Sequence, residues 1–404
     1  MRIIDKTLKK TIRYKFRGHN LSFKISQMLF SSQAIDHGTH HLLRTLETEK
    51  INTYSKVLDL GCGYGPIGIA LKKFSQTSEV HMVDVDALSL DYSKENAELN
   101  GIKDIKIYGS LGYDDVIDTD FDLVVSNIPA KIGEKALAYM LQEAQFYLIP
   151  NGGVVIVVID AIVDYVTKIL TTDPTIRILF QKKWPGYTVF HYEFTTKTIK
   201  PRESALERGI FDRCEMSFKI QNTKVTMKTV YGLSEFSTFD YETQFLIKKL
   251  KVLQNKPLQN FLMFHPGQGH IPVIITLYTK AEQFTLAGRN LLALRNSKRN
   301  MILNGYKENN IVLRFQSDLF LDAEKPFTCI VCIFPKKDNL MVHLLYVEQA
   351  TSMLNSDGII ILASSSTVIT RLERIIRKEK NLKIRERQRF KGNSIIFLDN
   401  VHKF

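Results

Sequence analysis

Short apolar runs alternate along the first half of the chain with stretches whose apolar positions recur every three or four residues. KVLDL at 56–60 reads as a buried strand, followed by a glycine-rich loop and a helix over 66–74. Residues 79–85 (EVHMVDV) predict a second strand. Residues 87–99 predict a helix that stops at Asn100-Gly101, because glycine accepts the left-handed backbone that ends helices. Strands are predicted at 105–108 and 121–126 (FDLVVS), and a helix over 134–148, ended by Pro150-Asn151-Gly152-Gly153. The run VVIVVI at 154–159 is apolar throughout, as the middle of a parallel sheet requires. Residues 176–194 predict a hairpin turning near Pro185-Gly186. Such alternation of strand and helix implies a doubly wound α/β sheet.

The second half repeats the first. Asp36 and Thr39 recur as Asp240 and Thr243, Gly63-Tyr64-Gly65 as Gly267-Gln268-Gly269, and Asn100-Gly101 as Asn304-Gly305, each 204 positions on. Pro129 recurs as Pro335 and TIRILFQKKWPGYTVFHYEF as NLKIRERQRFKGNSIIFLDN, 206 positions on. A constant offset over the whole length implies internal duplication. The expected fold is two tandem Rossmann-like α/β domains, 1–198 and 199–404. Each is a mostly parallel sheet with a C-terminal antiparallel hairpin, and the polar segment 195–208 serves as linker.

Composition narrows the class. No apolar run approaches the ~20 residues that cross a bilayer, and the basic N-terminal segment lacks the apolar core of a secretory signal. Four cysteines in 404 residues do not make a disulfide scaffold, so a cytoplasmic location is expected. The net charge is +13; residues 1–200 carry 24 basic and 23 acidic side chains, residues 201–404 carry 31 and 19. Residues 1–24 hold eight basic side chains against Asp5, and residues 371–391 hold ten against three acidic ones. Concentrated positive charge fits RNA as a partner; a lysine-rich solubility surface is the alternative. No metal site is expected. Cys329 and Cys332 lie on a predicted strand, where positions i and i+3 face opposite ways. His37, His40 and His41 fit a solvated helix start.

Candidate chemistry concentrates in the first copy. Asp59-Leu60-Gly61-Cys62-Gly63-Tyr64-Gly65 follows a strand and precedes a helix, so the backbone can turn tightly and approach a ligand. Asp84 ends the next strand, where a carboxylate can accept both ribose hydroxyls of an adenosine. The glycine spacing also fits a dinucleotide site, but Asp59 would repel a pyrophosphate and suits an amino-acid moiety.

These segments, with HMVDVDALSLDYSKENAELNG, resemble class I S-adenosylmethionine-dependent methyltransferases, more narrowly the methyltransferase small domain group. Leu29-Phe30-Ser31 followed by Asp36-x-Gly38-Thr39, and the fourth-strand end Ser126-Asn127-Ile128-Pro129, match the same group. The group includes ribosomal RNA guanine-N2 methyltransferases, some with an active and a degenerate copy in tandem. The resemblance implies S-adenosylmethionine as cofactor. It places Gly61, Gly63 and Gly65 against the cofactor's methionine and ribose, Asp59 near its methionine end and Asp84 on its ribose. Val85 then flanks the adenine, and Asp36, Gly38 and Thr39 cover the methionine end; Ser110 stands where the group has an acidic or amide residue that meets the adenine amino group, so that contact is weakened or different. Asn127, Ile128 and Pro129 become the catalytic segment: the Asn127 side-chain oxygen and the Ile128 carbonyl accept the hydrogens of an exocyclic amine. The group's pattern is Asn-Pro-Pro-aromatic, whereas this chain has Asn127-Ile128-Pro129-Ala130. The stacking ring is therefore missing, and Phe30, Tyr113 or Trp184 offers a replacement.

In the second copy Asp59 becomes Met263, Gly61 becomes His265, Asp84 becomes Gly288 and Asn127 becomes Ile333. That copy is expected to be a degenerate scaffold or RNA-binding half, whereas in the tandem ribosomal enzymes the active copy is usually the C-terminal one. The expected activity is methyl transfer to the exocyclic amine of an RNA base, guanine N2 of ribosomal RNA. The alternatives are methylation of a small molecule or protein amide, and a non-catalytic RNA-binding scaffold with a vestigial cofactor site.

Overall fold

A computed structural model of the chain describes residues 3–31, 33–254, 258–279, 281–320, 326–335, 339–378 and 382–401. The chain forms two compact units, Leu8–Phe211 and Met1–Thr7 together with Asp212–Phe404. Helix α1 (Ile3–Thr7) thus belongs with the C-terminal unit.

The unit Leu8–Phe211 opens with an antiparallel hairpin, β1 (Leu8–Phe16) and β2 (His19–Ser26), followed by helices α2 (His37–Thr45) and α3 (Thr48–Thr53). The main body is β3 (Lys56–Leu60), α4 (Pro66–Phe74), β4 (Glu79–Asp84), α5 (Ala87–Leu99), β5 (Lys106–Gly109), β6 (Phe121–Asn127), α6 (Glu134–Gln142), β7 (Leu148–Ile159), α7 (Asp160–Thr172), β8 (Ile176–Trp184) and β9 (Tyr187–Phe194). These strands form one sheet in the order β5-β4-β3-β6-β7-β9-β8, parallel from β5 to β7, with β9 antiparallel to β7 and β8. All five residues of β3 are buried, Lys56 and Asp59 included. Strand order reverses between β3 and β6, so the crevice at their carboxyl ends is where a ligand fits such a sheet.

The other unit has β10 (Asp212–Ile220), β11 (Thr223–Val230), α8 (Tyr241–Leu250), β12 (Asn260–Phe264), α9 (His270–Tyr278), β13 (Gln283–Gly288), α10 (Leu291–Leu303), β14 (Ile311–Phe315), β15 (Phe327–Ile333), α11 (Leu340–Ser352), β16 (Leu354–Ser365), α12 (Ser366–Ile376), β17 (Leu382–Phe390) and β18 (Asn393–Asn400). Its sheet order, β14-β13-β12-β15-β16-β18-β17, is that of the first unit. The fold is therefore two tandem α/β domains, each a mostly parallel seven-stranded sheet ending in an antiparallel hairpin. Helix α1 packs on α11, with Ile3 and Ile4 buried and Asn339 Nδ2 donating to the Lys6 carbonyl at 2.8 Å.

The structure differs from the sequence reading in four places. The division falls between Phe211 and Asp212 rather than at 198, because residues 195–211 are fastened to the first unit. Ala205, Leu206 and Phe211 are buried there, the Ala205 N–H donates to Asp114 at 2.9 Å, and Arg208 pairs with Glu143 at 2.7 Å. The helix expected over 134–148 gives way to a 3-10 turn, Glu143–Phe146. Strand β7 already begins at Leu148, and its register shift opposite Phe121/Leu123 absorbs Pro150-Asn151-Gly152. The hairpin Leu8–Ser26 was not anticipated. Of the basic run 371–391, residues 379–381 lie outside the described residues. Arg377 and Arg387 pair with Glu373, and Arg385 with Asp399, so part of its charge is neutralised internally.

Cys329 and Cys332 are buried free thiols. Among the described residues no helix is long and apolar enough to cross a membrane.

Candidate functional site

The glycine loop between β3 and α4 is held open by left-handed backbone at Gly61, Gly63 and Gly65, with φ of 76°, 59° and 92°. The N–H groups of Gly61 and Cys62 both donate to the Val83 carbonyl at 2.9 Å, which ties the loop to the end of β4. Ser93 Oγ donates to the Gly63 carbonyl at 2.8 Å and Asn96 Nδ2 to the Tyr64 carbonyl at 2.9 Å, so α5 braces the loop from behind. Gly65 caps α4 and Pro66 follows, a position where its missing N–H costs nothing.

Two carboxylates flank this loop. Asp59, on β3, is fully buried; its Oδ2 accepts from the Gly68 N–H at 2.8 Å, and its Oδ1 has no partner among the described residues. Burial raises its carboxyl to about 7, with a smaller contribution from the charge of Asp84. Asp84, at the end of β4, accepts from the Gly63 N–H at 2.8 Å and the Asp86 N–H at 2.9 Å. Its carboxyl rises to about 6 through burial and the neighbouring Asp86. Val85 follows, half-buried. An ionised, unpartnered carboxylate oxygen shut off from water calls for a cation, and the ammonium of an amino-acid moiety supplies one. The carboxylate of Asp84 has lone pairs beyond its two amide donors and can accept hydroxyls. The donor set therefore fits an aminoacyl nucleoside such as S-adenosylmethionine.

A second cluster forms one strand over. The end of β6 lies beside β3, where Asp59 pairs with Val125 and Ser126 Oγ donates to the Leu60 carbonyl at 2.7 Å. Asn127 ends that strand. Its Nδ2 donates to Asp36 Oδ2 at 2.9 Å and to Thr39 Oγ1 at 3.1 Å. A carboxylate only accepts, so the amide nitrogen must face Asp36 and Oδ1 must point away from it. Asp36 caps α2 by accepting from the Thr39 N–H at 3.3 Å, and its Oδ1 accepts from the Tyr187 hydroxyl at 3.1 Å. Gly38 has no room for a side chain: a Cβ would lie 2.8 Å from the Tyr187 ring. The Ile128 N–H is bonded to the Val157 carbonyl at 3.0 Å and its side chain is buried, while Pro129 is exposed.

The predicted residues thus gather in two groups. Asp59, Gly61, Gly63, Gly65, Asp84 and Val85 surround the glycine loop. Asp36, Gly38 and Thr39 lie with Asn127, Ile128 and Pro129, with Asp36 and Thr39 each accepting from the Asn127 amide. Ser110 is turned into its own loop, donating to the Gly112 carbonyl at 2.7 Å and accepting from the Asp115 N–H at 3.1 Å. Of the three rings offered for stacking, Tyr113 is sealed in the core, stacked on Tyr147 with centroids 4.8 Å apart. Trp184 stacks on His41 at 4.6 Å, and Phe30 is 74% exposed. Sequence reasoning missed Tyr187, whose partner Asp36 lies 151 residues away.

In the second unit His265 takes the left-handed backbone of Gly61, with φ of 59°. Its ring is buried against Phe264 at 4.0 Å. A side chain fills the turn where the first copy leaves bare backbone.

Away from both clusters, Glu79, His81 and Asp118 bring potential metal-ligating atoms together. Lys56 Nζ lies 2.7 Å from both Asp118 and Asp120, and Lys106 holds the Glu79 carboxyl down at about 2, so this group is an ion-pair network.

The model of the methyltransferase small domain family matches residues 20–190. The uncharacterised protein YbxB of Bacillus subtilis (strain 168) is 31% identical over 154 residues, which cover 38% of this chain and 76% of YbxB. A ribosomal RNA small subunit methyltransferase C of Haemophilus influenzae (strain 86-028NP) is 34% identical over 141 residues, 34% of this chain but only 41% of that enzyme. A T. thermophilus 16S rRNA N2 G1207 methyltransferase, solved with AdoMet and guanosine, shares the fold over 97% of this chain and 98% of its own. The TM-score is 0.66 and the identity 16%. With its glycine loop, flanking carboxylates and strand-end asparagine, the chain belongs to the methyltransferase small domain family.

Proposed function

We propose that this protein methylates an exocyclic amine of an RNA base, with S-adenosylmethionine as donor and guanine N2 of ribosomal RNA as acceptor. The observation that carries the reading is the clamped Asn127 amide, fixed through its nitrogen by Asp36 and Thr39 so that its oxygen is left to accept. The relatives named above that act on ribosomal RNA support the choice of substrate.

When bound, S-adenosylmethionine supplies a methyl group on a positively charged sulfur. Asp59 would hold its ammonium, Asp84 its ribose hydroxyls, and the glycine loop its backbone-facing edge. An exocyclic amine is a weak nucleophile because its lone pair is delocalised into the ring. Asn127 Oδ1 and the Ile128 carbonyl accept its two hydrogens and so set the direction of its lone pair. Tyr187 holds Asp36, Asp36 holds Asn127, and the acceptor is fixed before the substrate arrives. Phe30, exposed on the segment leading to Asp36, is available to stack on the base.

The test is transfer of labelled methyl from S-adenosylmethionine into total RNA from cells lacking the protein, followed by nucleoside analysis. Label in N2-methylguanosine is expected. Label on a ring carbon or a ribose oxygen would overturn the amine assignment, and label in peptides or free metabolites alone would overturn the RNA substrate.

A further inference from the structure

The outer face of the β1–β2 hairpin belongs to neither cluster of the candidate site. Residues 8–26 contain six lysines and arginines and no aspartate or glutamate. Successive strand residues point to opposite faces. Ile12, Tyr14 and Phe16 turn inward, while Thr11, Arg13 and Lys15 are exposed on the other face. Opposite them on β2 stand Lys24, Ser22 and Asn20. Lys24 is paired with Glu95. Among the described residues Lys9, Arg13 and Lys15 have no carboxylate partner.

The hairpin is stitched to α5 and touches α2, the helix that carries Thr39 of the acceptor cluster. Asn96 Oδ1 accepts from the Lys24 N–H at 2.7 Å and its Nδ2 donates to the Lys24 carbonyl at 3.1 Å; Asn100 does the same to Ser22 at 2.9 and 2.7 Å. Tyr14 meets His40 at 3.1 Å, one residue from Thr39, which binds Asn127. A charged strand thus runs within two side chains of the proposed acceptor.

The duplicate provides an internal comparison. Hairpin β10–β11 has the same register, the same bulge and the same stitching, now by Asn300 and Asn304 to Lys228 and Thr226. Yet residues 212–230 carry four basic and two acidic side chains, with Glu215 where Thr11 stands and Ser217 where Arg13 stands. The uncompensated charge is therefore no requirement of the hairpin fold.

We infer that this outer face grips the phosphates of the RNA strand flanking the target base. The inference rests on the proposed function and adds where the substrate backbone lies. Lysine, arginine, serine, threonine and asparagine are the side chains that contact nucleic-acid phosphates. The face offers them with no large apolar side chain among Thr11, Arg13, Lys15, Asn20, Ser22 and Lys24, so it lacks the anchors of a protein hot spot or a membrane-inserting surface.

The experiment compares the intact protein with the triple variant Lys9→Gln, Arg13→Gln, Lys15→Gln. The probe is 16S ribosomal RNA from cells lacking the protein, with affinity measured by filter binding between 50 and 200 mM salt. Each phosphate contact adds about 0.7 to 0.9 to the slope of log affinity against log salt. The variant should therefore lose about 2.1 to 2.7 from that slope, so over this range the intact protein weakens about 20- to 40-fold more than the variant. Heat of association with S-adenosylmethionine and the unfolding midpoint should not change, and restoring Arg13 should recover part of the slope. An unchanged slope overturns the inference. So does a loss confined to phosphatidylglycerol vesicles, which would make this a membrane face. If the slope falls as expected while the intact protein puts no methyl into RNA, the hairpin stands as an RNA surface and the methyl-transfer reading fails.

Discussion

Asp59→Asn separates the cost of the buried carboxylate from its use. In the cofactor-free protein Asp59 is sealed from water with one oxygen unpartnered, and its carboxyl titrates at about 7 instead of 3.8. That span corresponds to about 4 kcal/mol of penalty on the ionised form. Between pH 3.8 and 7 the folded protein keeps a proton that the unfolded chain has released, so stability falls as pH rises through this window and the full penalty stands above pH 7. Asparagine can still accept from the Gly68 N–H through its side-chain oxygen, but cannot ionise. The variant should match the parent near pH 4 and exceed it by up to about 4 kcal/mol at pH 8. Even half of that would raise the unfolding midpoint of a domain this size by about 4–8 °C. Binding of S-adenosylmethionine should weaken about 10- to 100-fold, since a hydrogen bond to a charged group is worth about 1.5–3 kcal/mol. Calorimetry for the ligand and unfolding scans at both pH values read the two effects separately. A variant no more stable at pH 8, or one that binds the donor as tightly as the parent, would refute the reasoning.

Other perturbations test other parts of the site. Asn127→Ala should lower kcat by about 10²–10³-fold while leaving donor affinity intact; a parallel loss of donor affinity would show that Asn127 supports the pocket rather than the amine. Gly38→Ala places a Cβ 2.8 Å from the Tyr187 ring and 2.9 Å from Asp36 Oδ2. The resulting shift of Asp36 should cost about 100-fold in kcat with little change in donor binding, as steady-state kinetics would show. In the second unit His265 is held neutral by burial and titrates at about 3. The unfolded chain binds the proton first, so stability falls as pH drops below 6.5, by about 2 kcal/mol at pH 5. His265→Asn tolerates the left-handed backbone and cannot titrate; its unfolding midpoint should fall less than the parent's between pH 7.5 and 5.

Local chemistry was legible in the sequence and long-range pairing was not. The strand KVLDL, the glycine turn and Asp84 lie within one strand–helix–strand unit, where spacing alone fixes which groups meet. The constant offset between the halves announced two sheets of one topology. Nothing in the spacing shows that Asp36 binds Asn127 and Tyr187, 91 and 151 residues away. Tyr113 and Phe30 look equally able to stack on a base until burial separates them. The polar segment 195–208 reads as a linker, yet Asp114 and Glu143 hold it in place. The alternation of Ile12, Tyr14 and Phe16 signals a strand, but the intervening charged residues also fit a solvated segment.

Because Ile3 and Ile4 are buried in the unit that otherwise begins at Asp212, that unit is discontinuous along the chain. During synthesis α1 is made before Leu8–Phe211 and must wait until α11 has been made, whereas the segment Leu8–Phe211 can fold as soon as it is released. An expression clone starting at residue 212 would leave the seat of α1 on α11 bare, and its aggregation would say nothing about the integrity of the rest of the duplicate.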